Sequence, residues 1–278
     1  MSLRDLIKLA LDEDTGLGDL TSETTIDVNL ESRAEIVAKE PLVLCGIEAV
    51  CLVFETVDPK TVIESVSADG ARITSGTRVA LMRGRTRSLL KAERTALNFL
   101  QHLSGIATFS QKFSRIAKKH NIRIADTRKT IPGYRALAKY AVRCGGCYNH
   151  RASLAEHILI KDNHLAASGS ISEAVNRAKD SAPHTCKIEV EVTTPDMALE
   201  AVEAGADAIL LDNMSPSEVE AAKELIGNRA LIEVSGGVSI KNIEAYAQVG
   251  VDIISIGTLT HSAPAVDLSM RFLNEKSD

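Results

Sequence analysis

Six cationic side chains and a single acid, Asp126, fall between residues 126 and 151. The cations are Arg128, Lys129, Arg135, Lys139, Arg143 and Arg151. The chain as a whole carries a formal net charge of -5, so this segment stands out against an acidic background. The planar guanidinium of arginine donates paired hydrogen bonds to carboxylates and phosphates, and lysine supplies a localised positive charge. The segment therefore predicts a binding site for an anionic ligand. For Lys139 and Arg143, inside a predicted helix, we expect solvated surface charges.

Further polar residues end a series of predicted strands. The strands are 122–126, 157–161, 187–192, 208–212, 230–235 and 252–257, with helical segments between them, as in consecutive β-α-β units. The residues at or after their ends are Lys161, Glu191, Asp212, Ser235, Gly236, Gly237 and Gly257. Glycine turns of this kind either bind phosphate or are ordinary strand-to-helix turns. The two acids, Glu191 and Asp212, either bind Mg²⁺ through water or phosphates or balance the charge of neighbouring cations.

Side-chain alternation along these strands indicates the architecture. Glu189 and Glu191 share one face of their strand, and the opposite face is apolar. The same alternation places Glu233 on the polar face of its strand, and His157 and Lys161 on the polar face of theirs. Two glutamates do not fit under a helix layer, so helices cover one face and the other lines a polar lumen. This pattern favours an incomplete TIM-like α/β barrel with mostly parallel strands over an open doubly wound sheet.

The N-terminal part lacks this strand-helix alternation and is rich in short β segments. We therefore predict an N-terminal α+β, sandwich-like domain over residues 1–104 and an α/β-barrel catalytic domain over 105–265. The tail, residues 266–278, is expected to pack back on the first domain. A long helix at the end of the first domain is expected to be interrupted at Gly105 and to end near Asn121, which tolerates a left-handed cap.

Composition excludes several classes of function. Aromatic residues make up 3% of the chain and Trp is absent, so the stacking surfaces of single-strand nucleic-acid binders are scarce. Apolar runs are strand-sized, so we expect a cytoplasmic protein without membrane contact. The five cysteines include a C-x-x-C at Cys144 and Cys147 that suggests a redox pair or half a zinc site, but no second ligand pair follows. Reduced thiols are expected.

Several motifs occur in order through nearly the whole chain: ERTALNFLQHLSGIAT, DTRKTIPG, KYAVRCGGCYNHR, ILIKDNH, IEVEV, ILLDN, EVSGG and ISIGTLTHS. Together they resemble the quinolinate phosphoribosyltransferase family. The resemblance implies transfer of phosphoribosyl from phosphoribosyl pyrophosphate to quinolinate with decarboxylation, giving nicotinate mononucleotide, pyrophosphate and CO₂ in de novo NAD biosynthesis. It also implies a need for Mg²⁺ and a homodimer, or a higher oligomer, with shared active sites.

The resemblance also implies roles for individual residues. Arg128, His150 and Arg151 would hold the carboxylates of quinolinate, with Arg94 arriving from the partner subunit. The catalytic candidates are Lys129 and Lys161, facing both substrates, and Glu191 and Asp212, serving the ribose hydroxyls and Mg²⁺. The 5′-phosphate would bind at Ser235, Gly236, Gly237 and Gly257, with His261 nearby. The alternatives are a phosphoribosyltransferase for a different base, a silent metabolite-binding homologue and, more remotely, a Schiff-base aldolase using Lys161.

Overall fold

A computed structural model describes residues 2–273 of the 278-residue chain. The chain divides into two compact units. The first contains the segment up to Phe109, the short segment Tyr140–Gly145 and the segment from Ala263 onward. The second contains Ser110–Lys139 and Gly146–Ser262. Among the helices of residues 2–273, none has the length and apolar character needed to cross a bilayer.

The N-terminal elements are mostly short antiparallel strands and amphipathic helices. In order they are α1 Leu3–Thr15, α2 Leu20–Thr25, β1 Glu31–Ala38, β2 Leu42–Val43, α3 Ile47–Val57, β3 Val62–Val66, β4 Arg72–Ile73, β5 Arg78–Arg85 and α4 Thr86–His120. Helix α1 begins with a reciprocal cap, in which Ser2 Oγ accepts from the backbone N–H of Asp5 and Asp5 Oδ2 accepts from that of Ser2.

The remaining elements alternate strand and helix. They are β6 Arg123–Ala125, α5 Arg135–Cys144, β7 Ile158–Ile160, α6 Asp162–Ser168, α7 Ile171–Ser181, β8 Ile188–Val192, α8 Pro195–Glu203, β9 Ala208–Asp212, α9 Pro216–Ile226, β10 Leu231–Ser235, α10 Ile243–Val249, β11 Ile253–Ser255, α11 Thr258–His261 and β12 Leu268–Leu273. Six of the strands form one parallel sheet in the order β6-β11-β10-β9-β8-β7. This confirms the predicted α/β class with mostly parallel strands.

The parallel sheet curls, although no strand pairing joins β6 to β7 within the described residues. Tyr148 pairs with Ala125 at the free edge of β6, and His150 follows two residues later. In a flat sheet, β6 and β8 would be four strand spacings apart, which is about 19 Å. Yet His150 Nε2 lies 3.1 Å from Oε2 of Glu189 on β8. The inner face is therefore a lumen, as the alternation of polar side chains predicts.

The last strand belongs to the first unit. Strand β12 pairs antiparallel with β1 in a sheet ordered β12-β1-β5-β3, and Glu35 on β1 faces Arg271 directly. The Glu35 carboxylate is buried and paired with Arg271 and with Arg78 of β5. Of the tail, the part up to residue 273 lies in this unit, and residues 274–278 lie outside the described residues.

The predicted interruption at Gly105 is wrong, because α4 runs unbroken from Thr86 to His120. A glycine is needed there for space rather than for a break. A Cβ at Gly105 would lie 2.2 Å from the carbonyl oxygen of Pro264 and 2.9 Å from Cα of Ala265, so a chain segment crosses the helix at contact distance. The predicted end is confirmed, since Asn121 has φ 57°.

Candidate active site

The strands of the parallel sheet end at one edge, where the register aligns the predicted site residues. Asp212 pairs with Ser235, Ser235 with Ser255, and Ser255 with Ala125. The segments that follow these four residues therefore leave the sheet side by side. The ends of these four parallel strands therefore lie along one edge of the sheet.

The turn after β10 requires glycine. Gly236 has φ 89° and Gly237 has φ 65°, a region that favours glycine. A Cβ on Gly236 would lie 2.3 Å from Oδ1 of Asn213, whose backbone N–H donates to the carbonyl of Ser235 at 2.8 Å. The backbone of this turn therefore packs closely against the end of β9.

A second glycine brings two predicted residues together at the end of β11. A Cβ on Gly257 would lie 3.2 Å from Cδ of Lys129 and 3.3 Å from Cδ2 of His261. The hydroxyl of Thr260 donates to the carbonyl of Lys129 at 2.7 Å, which fixes the loop after β6 against α11. Lys129 and His261 are both exposed, so their cationic and imidazole groups are available to a ligand.

Lys161 and Glu191 form an ion pair at the ends of β7 and β8. Asp212 is half-buried and accepts a hydrogen bond from Asn213 Nδ2 at 2.7 Å. Carboxylate oxygens are suitable Mg²⁺ ligands, but within residues 2–273 neither acid belongs to a group of three potential metal-binding side chains. Any ion held by Glu191 and Asp212 would therefore need further ligands from water or from a substrate.

Arg128 and Arg151 are two cations with buried, unused donors. Arg151 is 6% exposed and its Nη1 donates to the carbonyl of His157 at 2.9 Å. The Nε atoms of both arginines are buried and have no hydrogen-bond partner in the described chain. Burial, and then the charge of Arg128, lower the pKa of Arg151. Two like charges with open donors suit a multiply charged anion.

The expectation of a surface Lys139 is wrong. Its Nζ is buried and donates to Oδ1 of Asp126 at 2.5 Å and to the carbonyl of His150 at 2.7 Å. Asp126 is 0% exposed and accepts from the backbone N–H of His150 at 2.9 Å and from Asn149 Nδ2 at 2.6 Å. The aliphatic stem of lysine lets an apparently polar helix position deliver a charge into the interior. Arg143 is exposed, as expected.

Three luminal residues were not predicted as site residues. They are His157, Glu189 and Glu233. Glu189 accepts hydrogen bonds from His150 and His157, while the buried Glu233 lies beside His150. The two histidines lower the pKa of Glu189 against the effect of burial, whereas burial and the charge of Glu189 raise that of Glu233. The alternation of charged and apolar residues in β8 and β10 is the sequence signal that marks these positions.

Arg94 lies on α4 in the first unit and is exposed. It forms no ion pair with another residue of the described chain, 2–273. All the other predicted site residues belong to the second unit.

Comparison with known proteins covers nearly the whole chain. Residues 19–104 match the N-terminal domain of quinolinate phosphoribosyl transferase and residues 106–271 match its C-terminal domain. The chain is 41% identical over 270 residues to a probable nicotinate-nucleotide pyrophosphorylase [carboxylating] of Bacillus subtilis, covering 97% of this chain and 93% of that protein.

Solved structures agree with this match. The crystal structure of NadC from Streptococcus pyogenes superposes with a TM-score of 0.93 at 41% identity, covering 98% of this chain and 97% of the other. The nicotinate-nucleotide pyrophosphorylase from Francisella tularensis superposes with a TM-score of 0.93 at 37% identity, covering 98% and 96%. This chain belongs to the quinolinate phosphoribosyltransferase family.

Proposed function

We propose that this protein transfers the phosphoribosyl group of phosphoribosyl pyrophosphate to quinolinate and releases CO₂, forming nicotinate mononucleotide and pyrophosphate for NAD biosynthesis. The observation that carries this proposal is the pair Arg128 and Arg151, each with a buried Nε that has no partner in the described chain. Quinolinate is a dicarboxylate, and guanidinium groups bind carboxylates through paired N–H donors. His150, held by Lys139 and Asp126, adds a third donor beside them.

Bringing two polyanions together is the main electrostatic problem of this reaction. Quinolinate carries two carboxylates and its co-substrate carries phosphates, so the two repel each other in water. The arginines offset the charge of quinolinate, and Lys129 and Lys161 offset that of the pyrophosphate. The turns at Ser235–Gly237 and at Gly257 hold the 5′-phosphate through backbone N–H groups, with His261 beside them.

The chemical step needs positioning more than a protein nucleophile. The pyridine nitrogen attacks the anomeric carbon of the ribose while the bond to pyrophosphate breaks. The ring nitrogen becomes cationic, so loss of the C2 carboxylate as CO₂ leaves an electron pair beside a positive charge. A proton then takes the place of the lost CO₂. Glu191 and Asp212 hold the ribose hydroxyls in this arrangement.

Magnesium is proposed as the metal, with Glu191 and Asp212 holding it through water and phosphate oxygens. When bound, it supplies charge neutralisation to the pyrophosphate leaving group. Lys161 pairs with Glu191, and a ligand that engaged this carboxylate would leave the Lys161 ammonium available to the phosphates. A cytoplasmic location stays a prediction.

A shared active site is proposed on the basis of Arg94. This side chain is exposed in the first unit and has no ion-pair partner among residues 2–273. A homodimer in which Arg94 of each subunit reaches the other's quinolinate site would use that exposed charge. Mixing Arg94→Ala with Arg151→Ala chains should restore activity, since one of the two sites in a mixed dimer has both arginines. Absence of rescue contradicts the shared site.

The reaction is tested by release of CO₂ from carboxyl-labelled quinolinate in the presence of phosphoribosyl pyrophosphate and Mg²⁺. We expect CO₂, pyrophosphate and nicotinate mononucleotide in equal amounts. Turnover of nicotinate but not of quinolinate would instead assign a phosphoribosyltransferase for a different base. Binding of quinolinate without CO₂ release would assign a silent binding protein.

A further inference from the structure

Four potential metal ligands converge in the barrel lumen. Nε2 of His150 lies 3.1 Å from Oε2 of Glu189 and 3.6 Å from Oε1 of Glu233, and Nε2 of His157 lies 3.3 Å from the same oxygen of Glu189. His150, His157 and Glu189 have ligand atoms that all lie within 4.8 Å of one another. The four side chains come from β8, β10 and the segment before β7.

These separations match the edges of a zinc coordination tetrahedron. Zn²⁺ binds imidazole nitrogen and carboxylate oxygen at about 2.0–2.1 Å, so neighbouring ligand atoms of a tetrahedral site lie roughly 3.3–3.4 Å apart. The three observed separations lie on either side of that value. His150, His157 and Glu189 are thus already close enough to share one ion, and Glu233, which lies 3.6 Å from His150, would have to move closer to the other two to complete the set.

An independent observation is the state of Glu233. Its side chain is 3% exposed, and Oε1, the oxygen beside His150, has no hydrogen-bond partner in the described chain. A buried carboxylate oxygen without a partner is costly, and here it lies next to a second buried carboxylate, Glu189. Besides the two histidines, the charge of Arg151 interacts with Glu189, and Nη1 of Arg151 already donates to the carbonyl of His157. A divalent cation beside Glu233 would satisfy its unpartnered oxygen and balance the charge of Glu189.

We propose that His150, His157, Glu189 and Glu233 form a binding site for a divalent transition-metal ion, with Zn²⁺ as the best match. Imidazole ligands select zinc over magnesium, which prefers oxygen and octahedral geometry. This site is therefore separate from the magnesium position at Glu191 and Asp212. Occupancy also engages the imidazole of His150, so Zn²⁺ should compete with quinolinate; that consequence alone rests on the proposed function.

Direct metal binding tests the proposal without an activity assay. The full chain is stripped with a chelator and titrated with Zn²⁺ against a chromophoric chelator, then with Co²⁺, whose visible spectrum reports coordination geometry. Cys45, Asp69 and Cys144 form a second group of potential ligands, so the titrations use a Cys45→Ser, Cys144→Ser background. We expect one ion per chain, a tetrahedral Co²⁺ spectrum and no displacement by Mg²⁺.

Single substitutions in that background assign the ion to the lumen. His157→Ala should weaken Zn²⁺ binding at least about 10-fold, since loss of a direct ligand should cost no less than loss of an outer partner. Glu233→Gln, which keeps the shape of the side chain, should weaken it as well. His184→Ala, at an exposed histidine, is the matched control and should bind as the background does.

The outcomes separate the metal site from the proposed reaction. Absence of Zn²⁺ binding in the double-serine background overturns the site, as does binding that is unchanged in both His157→Ala and Glu233→Gln. Zn²⁺ binding that follows these variants supports the site even if quinolinate is not turned over, in which case only the proposed function fails. Circular dichroism of each variant establishes that it is folded.

Discussion

The ammonium of Lys139 lies 2.5 Å from the Asp126 carboxylate, and both side chains are almost completely buried, at 5% and 0% exposure. Each partner also holds the backbone of His150, Lys139 through its carbonyl and Asp126 through its N–H. The buried pair therefore connects the end of β6 and helix α5 to the loop that carries His150 and Arg151. It is a positioning device for the proposed quinolinate site rather than a contact with substrate.

Breaking this pair should be costly. Lys139→Met leaves Asp126 buried without its cation, and we expect the free energy of unfolding to fall by about 3–5 kcal/mol. Urea denaturation of the purified protein measures the change. Arg143→Met, at an exposed position of the same helix, is the control and should change stability by no more than about 0.5 kcal/mol. Equal losses in the two variants would show that burial of the pair does not matter.

Replacing an arginine by lysine in the anion site should impair recognition of quinolinate. Arg151→Lys keeps the charge but removes the forked donor, so we expect kcat/KM for quinolinate to fall by about 10- to 100-fold, corresponding to about 1.5–3 kcal/mol for hydrogen bonds to a charged group. The KM for phosphoribosyl pyrophosphate should change much less. Arg177→Lys, at an exposed arginine paired with Glu173, is the matched control. A larger effect on phosphoribosyl pyrophosphate than on quinolinate would reassign this arginine.

The glycine turn after β10 can be tested by adding one methyl group. Gly236→Ala places a Cβ in a left-handed conformation and 2.3 Å from Oδ1 of Asn213, so the turn must shift. We expect a raised KM for phosphoribosyl pyrophosphate together with a loss of stability. Gly227→Ala is the control, because Gly227 also has positive φ but has nothing within 4 Å of an added Cβ. It should cost only the conformational strain, about 1–3 kcal/mol, without a change in KM.

The first unit offers a prediction for pH dependence. The hydrogen bond and charge of Arg85, with bonds from Ser88 and the N–H of Lys60, lower the pKa of the buried Asp58 to about 2. A carboxylate whose pKa is lower in the folded than in the unfolded state stabilises the folded protein at pH values above the unfolded pKa, about 3.9. This contribution disappears as the pH falls through the folded pKa of about 2.

Asp58→Asn should therefore lower the free energy of unfolding by about 2–3 kcal/mol at pH 7 and by about half as much at pH 3. Urea titrations at the two pH values give the comparison, with Asp12→Asn on the exposed face of α1 as control. A difference that stays constant with pH would contradict an ionised Asp58 as the source.

The residues at the strand ends could be predicted from the sequence because their positions follow from the local pattern of polar and apolar residues along each strand. Alternation in β8 and β10 predicts that Glu189 and Glu233 face the lumen, and strand ends predict Lys161, Glu191 and Asp212. It did not predict that His150 contacts Glu189, because that contact depends on the curvature of the whole sheet. The burial of Lys139 escaped for a related reason, since its partner Asp126 is 13 residues away in sequence.

The C-x-x-C spacing suggests that Cys144 and Cys147 act as a pair, but in the structure both thiols are free and have different neighbours. Cys147 is buried and its thiol donates to the carbonyl of Ser110, and burial raises its pKa to about 12. Cys144 instead lies beside Cys45, and hydrogen bonds from Cys45 and then from Tyr140 lower its pKa to about 7. Iodoacetamide at pH 7.5 should therefore alkylate Cys144 well before Cys147, because the thiolate is the nucleophile.

Mass spectrometry of peptides sampled over time measures the two rates within one molecule. Cys45→Ala removes the principal hydrogen bond to Cys144, so it should raise the pKa of that thiol and slow its alkylation at pH 7.5. The rate for Cys147 provides the internal reference, since its thiol bonds to the carbonyl of Ser110 rather than to Cys45. Equal rates for Cys144 and Cys147 in the unsubstituted protein would mean that the two thiols behave as the sequence motif alone suggests.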